Sequence, residues 1–116
     1  MSDIFLSFAI PTYNRVGSLK KLLDNILLQT RGLKEGIEIC ISDNNSSDGT
    51  QEVVKSFREK HSDLINYRKN EKNLGGERNV SLAMKMASGQ FVWLFGDDDL
   101  IANGGIRDVI EFIKKN

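Results

Sequence analysis

The sequence predicts an α/β fold: a mostly parallel sheet with helices on both faces. Three observations carry that expectation. Four short apolar runs alternate with four stretches whose apolar residues recur at helical spacing. The strand runs are apolar at nearly every position, as strands covered on both faces are. Polar turn clusters separate the elements, and right-handed crossovers between parallel strands then place the helices on the two faces.

Phe5 to Ile10 reads as strand one, ended by Pro11, which has no backbone donor. Leu19, Leu22, Leu23, Ile26 and Leu27 form one face of a first helix, with Asn14 or Ser18 available as its cap and Gly32 just past its end. Ile37, Ile39, Cys40 and Ile41 form strand two, which stops at the turn residues Ser42 to Gly49. Val53, Val54 and Phe57 give the second helix its buried face, with Asp48 as its opening cap, and Ile65 to Arg68 is the third strand. After a turn at Asn73-Leu74-Gly75-Gly76, Arg78 to Ala87 reads as a helix with Leu82, Ala83 and Met86 inward, closed by Ser88-Gly89. Phe91 to Phe95 is strand four, ending at Gly96-Asp97-Asp98-Asp99. Ile106, Val109, Ile110 and Ile113 make the last helix, with Lys114 and Lys115 at its negative end. With no repeat, low-complexity tract or linker, residues 1–116 read as one unit.

Composition narrows the function. Sixteen Lys and Arg against 16 Asp and Glu give no net charge, so the basic field that nucleic-acid binding needs is missing. The single cysteine, Cys40, sits in an apolar run and leaves no intramolecular disulfide, consistent with a reducing compartment. No stretch approaches the roughly 20 apolar residues of a membrane span, and Asp3 precedes only a short apolar run, so no secretion signal is read. These features point to a cytoplasmic protein.

In open α/β sheets, ligands bind beyond the carboxyl ends of the strands. That rule gathers Pro11 to Arg15, Ser42 to Asn44 and Asp97 to Asp99 on one rim. Three consecutive carboxylates repel one another and relax by protonation or by recruiting a hard cation. In extended backbone Asp97 and Asp99 would face the same way and Asp98 elsewhere. Mg²⁺ or Mn²⁺ held by one or two carboxylates keeps positions open for phosphates, which makes a nucleoside diphosphate a natural ligand. The alternative is a solvated acidic turn. Asp43 suits a base or a ribose, or else an Asx-type turn; Arg78 suits a base carbonyl or a phosphate, or else plain solvent. His61 lies at a helix end with no second histidine, Met86 and Trp93 read as packing residues, and neither a Walker loop, a GxGxxG fingerprint nor a GxSxG is present.

Five segments in order resemble the donor-binding half of a family-2-like inverting glycosyltransferase of the GT-A class. They are Ile10 to Arg15, Ile41 to Thr50, Asn73-Leu74-Gly75 with Arg78-Asn79, Ala87-Ser88-Gly89, and Asp97-Asp98-Asp99. The resemblance implies a Rossmann-like nucleotide-binding half and a nucleotide-sugar donor, commonly a UDP-sugar. Pro11, Thr12, Tyr13 and Asp43 would hold the base, with Arg78 beside it. Asp97 or Asp98 would meet the ribose, and Asp99, with Asp97, would hold Mn²⁺ or Mg²⁺ against the diphosphate. A carboxylate register with Gly96 in the first acidic position departs from many relatives, as does the short Asn73 to Asn79 stretch.

The implied reaction is sugar transfer to the hydroxyl of a saccharide or lipid-linked acceptor, in a setting such as polysaccharide assembly at the inner face of the membrane. Such enzymes are at least about twice this long and carry their general base in the second half. The expectation is therefore a donor-binding piece, truncated before the acceptor half, with no catalytic base of its own. Two other readings are a non-catalytic nucleotide-sugar-binding module and, third, a sugar nucleotidyltransferase, which lacks its triphosphate loop here.

Overall fold

A computed structural model describes residues 3–116. Its elements alternate: β1 (Ile4–Thr12), α1 (Val16–Thr30), β2 (Gly36–Asp43), α2 (Thr50–Lys60), β3 (Ile65–Lys69), α3 (Gly76–Met86), β4 (Phe91–Leu94) and α4 (Gly105–Lys115). All strand pairs are parallel, in the order β3-β2-β1-β4. The chain steps outward from β1 to β3 and then returns to the far side of β1. That reversal places a topological switch point between β1 and β4.

The two sheet faces differ in side-chain size. Leu6, Phe8, Ile10, Ile37, Ile39 and Ile41 share one face and join Leu19, Leu22, Leu23 and Ile26 of α1, Val54 of α2, and Ile106 and Ile110 of α4 in the main core. On the other face the in-register neighbours Ala9 with Cys40 and Pro11 with Ser42 are small. Small residues let α3 lie close against β1 and β2, with Asn79 and Ala83 turned inward. Leu82 and Met86, expected inward, are only half-buried, because the short approach favours Ala83 over longer side chains.

β4 departs from the expectation of a strand covered on both faces. It is a sheet edge, and Phe91, Val92 and Leu94 remain 41%, 40% and 45% exposed because α3 covers β1 and β2 instead. Its aromatic residues still tie it to the core: Trp93 stacks on Phe8 with centroids 5.3 Å apart and meets Phe95 edge-on at 5.5 Å.

Strand β1 runs one residue beyond Pro11 to Thr12, whose carbonyl accepts from the Asn44 amide at 2.9 Å. Neither Asn14 nor Ser18 caps α1. Asp48 does so from a distant loop, accepting the Val16 amide at 3.0 Å through Oδ2 while its Oδ1 takes the Thr50 amide and hydroxyl at 3.2 and 2.6 Å. These hydrogen bonds outweigh desolvation and hold the Asp48 carboxyl below its usual range. Asn14 instead sits at φ 50 and accepts the Ser47 amide at 2.8 Å. One carboxylate thus starts two helices and fixes the loop after β2 against the loop after β1. No helix among the described residues is long and apolar enough to cross a membrane.

Candidate functional site

The switch point is bridged by two side chains. The Thr12 hydroxyl, at the end of β1, donates to Asp97 Oδ2 at 2.8 Å beyond β4. Asp97 is 7% exposed, and burial pushes its carboxyl above the ordinary value, reinforced by the neighbouring Asp98 charge and opposed by Thr12 and Arg15. A cavity of about 410 Å³ opens here, lined by Pro11, Thr12, Tyr13, Arg15, Asn44, Gly76, Asn79, Val80, Gly96, Asp97 and Asp98. A larger groove of about 570 Å³ lies between α1 and α2, lined by residues such as Leu27, Phe57 and His61. It sits on helix flanks away from the strand ends, so location and chemistry, not size, select the smaller cavity.

The floor beneath that cavity is a hydrogen-bonded frame. Asp43 is fully buried; its Oδ1 accepts the Ser46 amide at 2.9 Å, as in an Asx-type turn, and its Oδ2 accepts the Tyr67 hydroxyl at 2.5 Å. Burial and that carboxylate push the Tyr67 phenol up, so it stays a donor. Asn79 donates to the Ser42 carbonyl at 2.9 Å and accepts from the Ser42 hydroxyl at 2.8 Å and from Asn70 Nδ2 at 3.1 Å. Asn44 accepts from Asn70 at 3.0 Å and from the Leu74 amide at 2.9 Å, and donates to Asn73 at 2.8 Å. Among the described residues no buried side-chain polar atom lacks a partner.

The acidic run does not alternate as extended backbone would. Residues Gly96 to Asp99 form a turn closed by the Asp99 amide donating to the Gly96 carbonyl at 3.3 Å, which carries Asp98 Oδ1 and Asp99 Oδ2 to the same glycine. A Cβ on Gly96 would stand 3.1 Å from Asp99 Oδ2 and 3.3 Å from Asp98 Oδ1. The glycine therefore leaves a small cradle faced by two carboxylate oxygens. Among the described residues no three His, Cys, Asp or Glu side chains are gathered as a ready-made cage. Two hard oxygen donors beside an open cavity suit Mg²⁺ or Mn²⁺ completed by phosphates.

The structure thus brings Pro11, Thr12, Tyr13, Asp97 and Asp98 to one cavity, and holds Asp99 at its edge through the turn. Asp43 is fully buried and outside the lining, next to the lining residue Asn44. Arg78, in the first turn of α3, is exposed and outside the lining. Arg15, Asn44 and Asn79 fell within the segments read from the sequence but were given no role of their own. Arg15 pairs with Asp98 at 2.8 Å and approaches Asp97 Oδ1 at 3.7 Å. For Asn79 a signal existed: with Ala83 and Met86 it falls on one helical stripe, while Arg78 is turned about 100° away.

The parallel 3-2-1-4 sheet with its alternating helices matches GT-A enzymes in fold, so this is a GT-A type α/β domain. The sequence model described as Glycosyl transferase family 2 matches residues 7–116, and the chain belongs to that family. It is 43% identical over 103 residues to abequosyltransferase RfbV of Salmonella typhimurium strain LT2, covering 89% of this chain and 31% of that protein. It superposes on Staphylococcus aureus TarS residues 1–349 in complex with UDP-GlcNAc with a TM-score of 0.84 at 30% identity, covering 97% of this chain and 32% of that one. The mannosyltransferase PcManGT from Pyrobaculum calidifontis, in complex with GDP-Man and Mn²⁺, matches with a TM-score of 0.81 over 93% of this chain and 32% of its own; at 24% identity that likeness bears on the fold alone. The chain spans about a third of the length of these relatives.

Proposed function

We propose that this chain forms the donor site of an inverting glycosyltransferase that takes its sugar from a nucleoside diphosphate, with UDP the favoured nucleotide. The observation that carries the reading is the Thr12–Asp97 bridge at the switch point, beside a cavity that has carboxylates on one wall and Pro11, Thr12 and Tyr13 on another. Family membership and the likeness to TarS, crystallised with UDP-GlcNAc, support the ligand class. Abequose and N-acetylglucosamine in the relatives' names differ, so the family does not dictate the sugar.

Each residue then has a task. Pro11 to Tyr13 form a wall for the base, with the half-exposed Tyr13 side chain as its apolar surface. Asp43 fixes the loop after β2 through Ser46 and Tyr67, and on this reading it is also the partner for base or ribose. Asp97 or Asp98 meets the ribose, and Asp99, with Asp97 or Asp98, would hold Mn²⁺ or Mg²⁺. When bound, such an ion supplies charge neutralisation for the departing diphosphate. Arg78 can reach a ligand only from outside the cavity. The acceptor, a saccharide or a lipid-linked one, takes the sugar on a hydroxyl whose general base lies outside these 116 residues.

Calorimetric titration with nucleoside diphosphates and their sugars, with and without Mn²⁺, tests this reading. Metal-dependent binding with a preference for uridine supports it. A chain that binds nucleotide without metal preference would be better read as a nucleotide-binding module.

A further inference from the structure

We infer that Arg15 is an exchanging cation: it neutralises Asp98 and Asp97 until a divalent ion arrives with a nucleoside diphosphate, and then pairs with the diphosphate oxygens. The inference rests on the donor-site reading above. Arg15 Nη1 lies 2.8 Å from Asp98 Oδ2 and 3.7 Å from Asp97 Oδ1. Among the described residues it is the one cation lining the cavity.

The two contacts are unequal in permanence. The Arg15 and Asp98 side chains are 53% and 55% exposed, so water screens their pair and makes it easy to break. Asp97 is tied by its other oxygen to Thr12 and keeps its place when the arginine leaves. A guanidinium within 4 Å of these carboxylates and a divalent ion on the same carboxylates repel each other strongly. Arg15 sits just ahead of α1, so its long side chain can swing while its backbone stays fixed. Its planar fork fits two phosphate oxygens, which the metal brings into the same cavity. Arg15 thereby discourages metal binding alone and rewards metal that arrives with nucleotide.

The test is calorimetry on the native chain, Arg15→Gln and Arg15→Lys with three probes: Mn²⁺ alone, UDP at saturating Mn²⁺, and uridine. Arg15→Gln should bind Mn²⁺ alone about two- to fivefold more tightly, the scale of a half-exposed ion pair. It should bind UDP about two- to tenfold more weakly and leave uridine unchanged. Arg15→Lys, which keeps the charge and loses the fork, should hold Mn²⁺ affinity near native and recover part of the UDP affinity. High salt should shrink the Mn²⁺ gain. If Arg15→Gln binds Mn²⁺ no better than native, or keeps full UDP affinity, the exchange is overturned while the donor site stands. A native chain that binds no UDP with Mn²⁺ would overturn both.

Discussion

Thr12 and Asp97 stand 85 residues apart in the chain and share a 2.8 Å hydrogen bond. That bond closes the gap between β1 and the loop after β4, where the sheet reverses its winding. It also keeps a carboxylate almost out of water at the mouth of the cavity. Such a group favours ligand binding at the expense of the fold, which can be measured.

The folded-state value of Asp97 lies above the ordinary 3.8 through burial. A raised carboxyl value means its stabilising contribution is present below the unfolded value and is lost as pH rises through the folded one. At neutral pH the ionised Asp97 therefore weakens the fold. Asp97→Asn, which keeps an acceptor for Thr12, should melt at or above the native temperature at pH 7 and lose that advantage near pH 4. Mn²⁺-dependent UDP affinity should fall at least about tenfold. Melting curves across pH that run below native throughout would contradict the assignment.

Asp43 has no exposed surface and satisfies both Ser46 and Tyr67. Asp43→Asn should cost about 1–3 kcal/mol of stability, since one buried donor loses its charged acceptor. If Asp43 also touches the nucleoside, UDP affinity should fall more than pyrophosphate affinity. Equal losses for the two ligands would assign Asp43 to the loop alone.

Gly96→Ala places a methyl group 3.1 and 3.3 Å from carboxylate oxygens at the ends of flexible side chains. These ends can move aside, so the melting temperature should change little. Their convergence should be lost, and Mn²⁺ affinity should drop severalfold. An unchanged affinity would show that the cradle over Gly96 holds nothing.

Assayed by itself, the 116-residue chain should bind donor without transferring sugar. Among the described residues, the carboxylates lining the cavity are Asp97 and Asp98, and each is engaged by Thr12 or Arg15. Asp108 and Glu111 are exposed on α4. Product analysis with labelled donor checks this. Transfer abolished by Asp108→Asn or Glu111→Gln would place a base within this chain after all.

The fold was legible because its strands and helices obey different periods: Ile37, Ile39 and Ile41 alternate in a short β-prone run bounded by turn residues, and Leu19, Leu22, Leu23 and Ile26 recur at helical spacing. The strand-end rule located the rim for the same reason. Tertiary hydrogen bonds were not legible. Nothing in the spacing of Asp48 announces that it caps a helix 32 residues upstream, because a cap from another loop has no local signature. The stretch from Gly96 to Asp99 was read as extended backbone, whereas it turns and carries an Asp98 oxygen to Gly96 beside that of Asp99. Arg15 was visible as a motif residue, but its pairing with Asp98 spans 83 positions.

The most direct measurement of the central claim is a calorimetric titration of UDP into the native chain and into Asp99→Asn, each with and without Mn²⁺. The account predicts saturable UDP binding that requires Mn²⁺ in the native chain and weakens at least about tenfold in Asp99→Asn, with both proteins melting alike. UDP affinity that is the same with and without metal, and the same in both proteins, would contradict it.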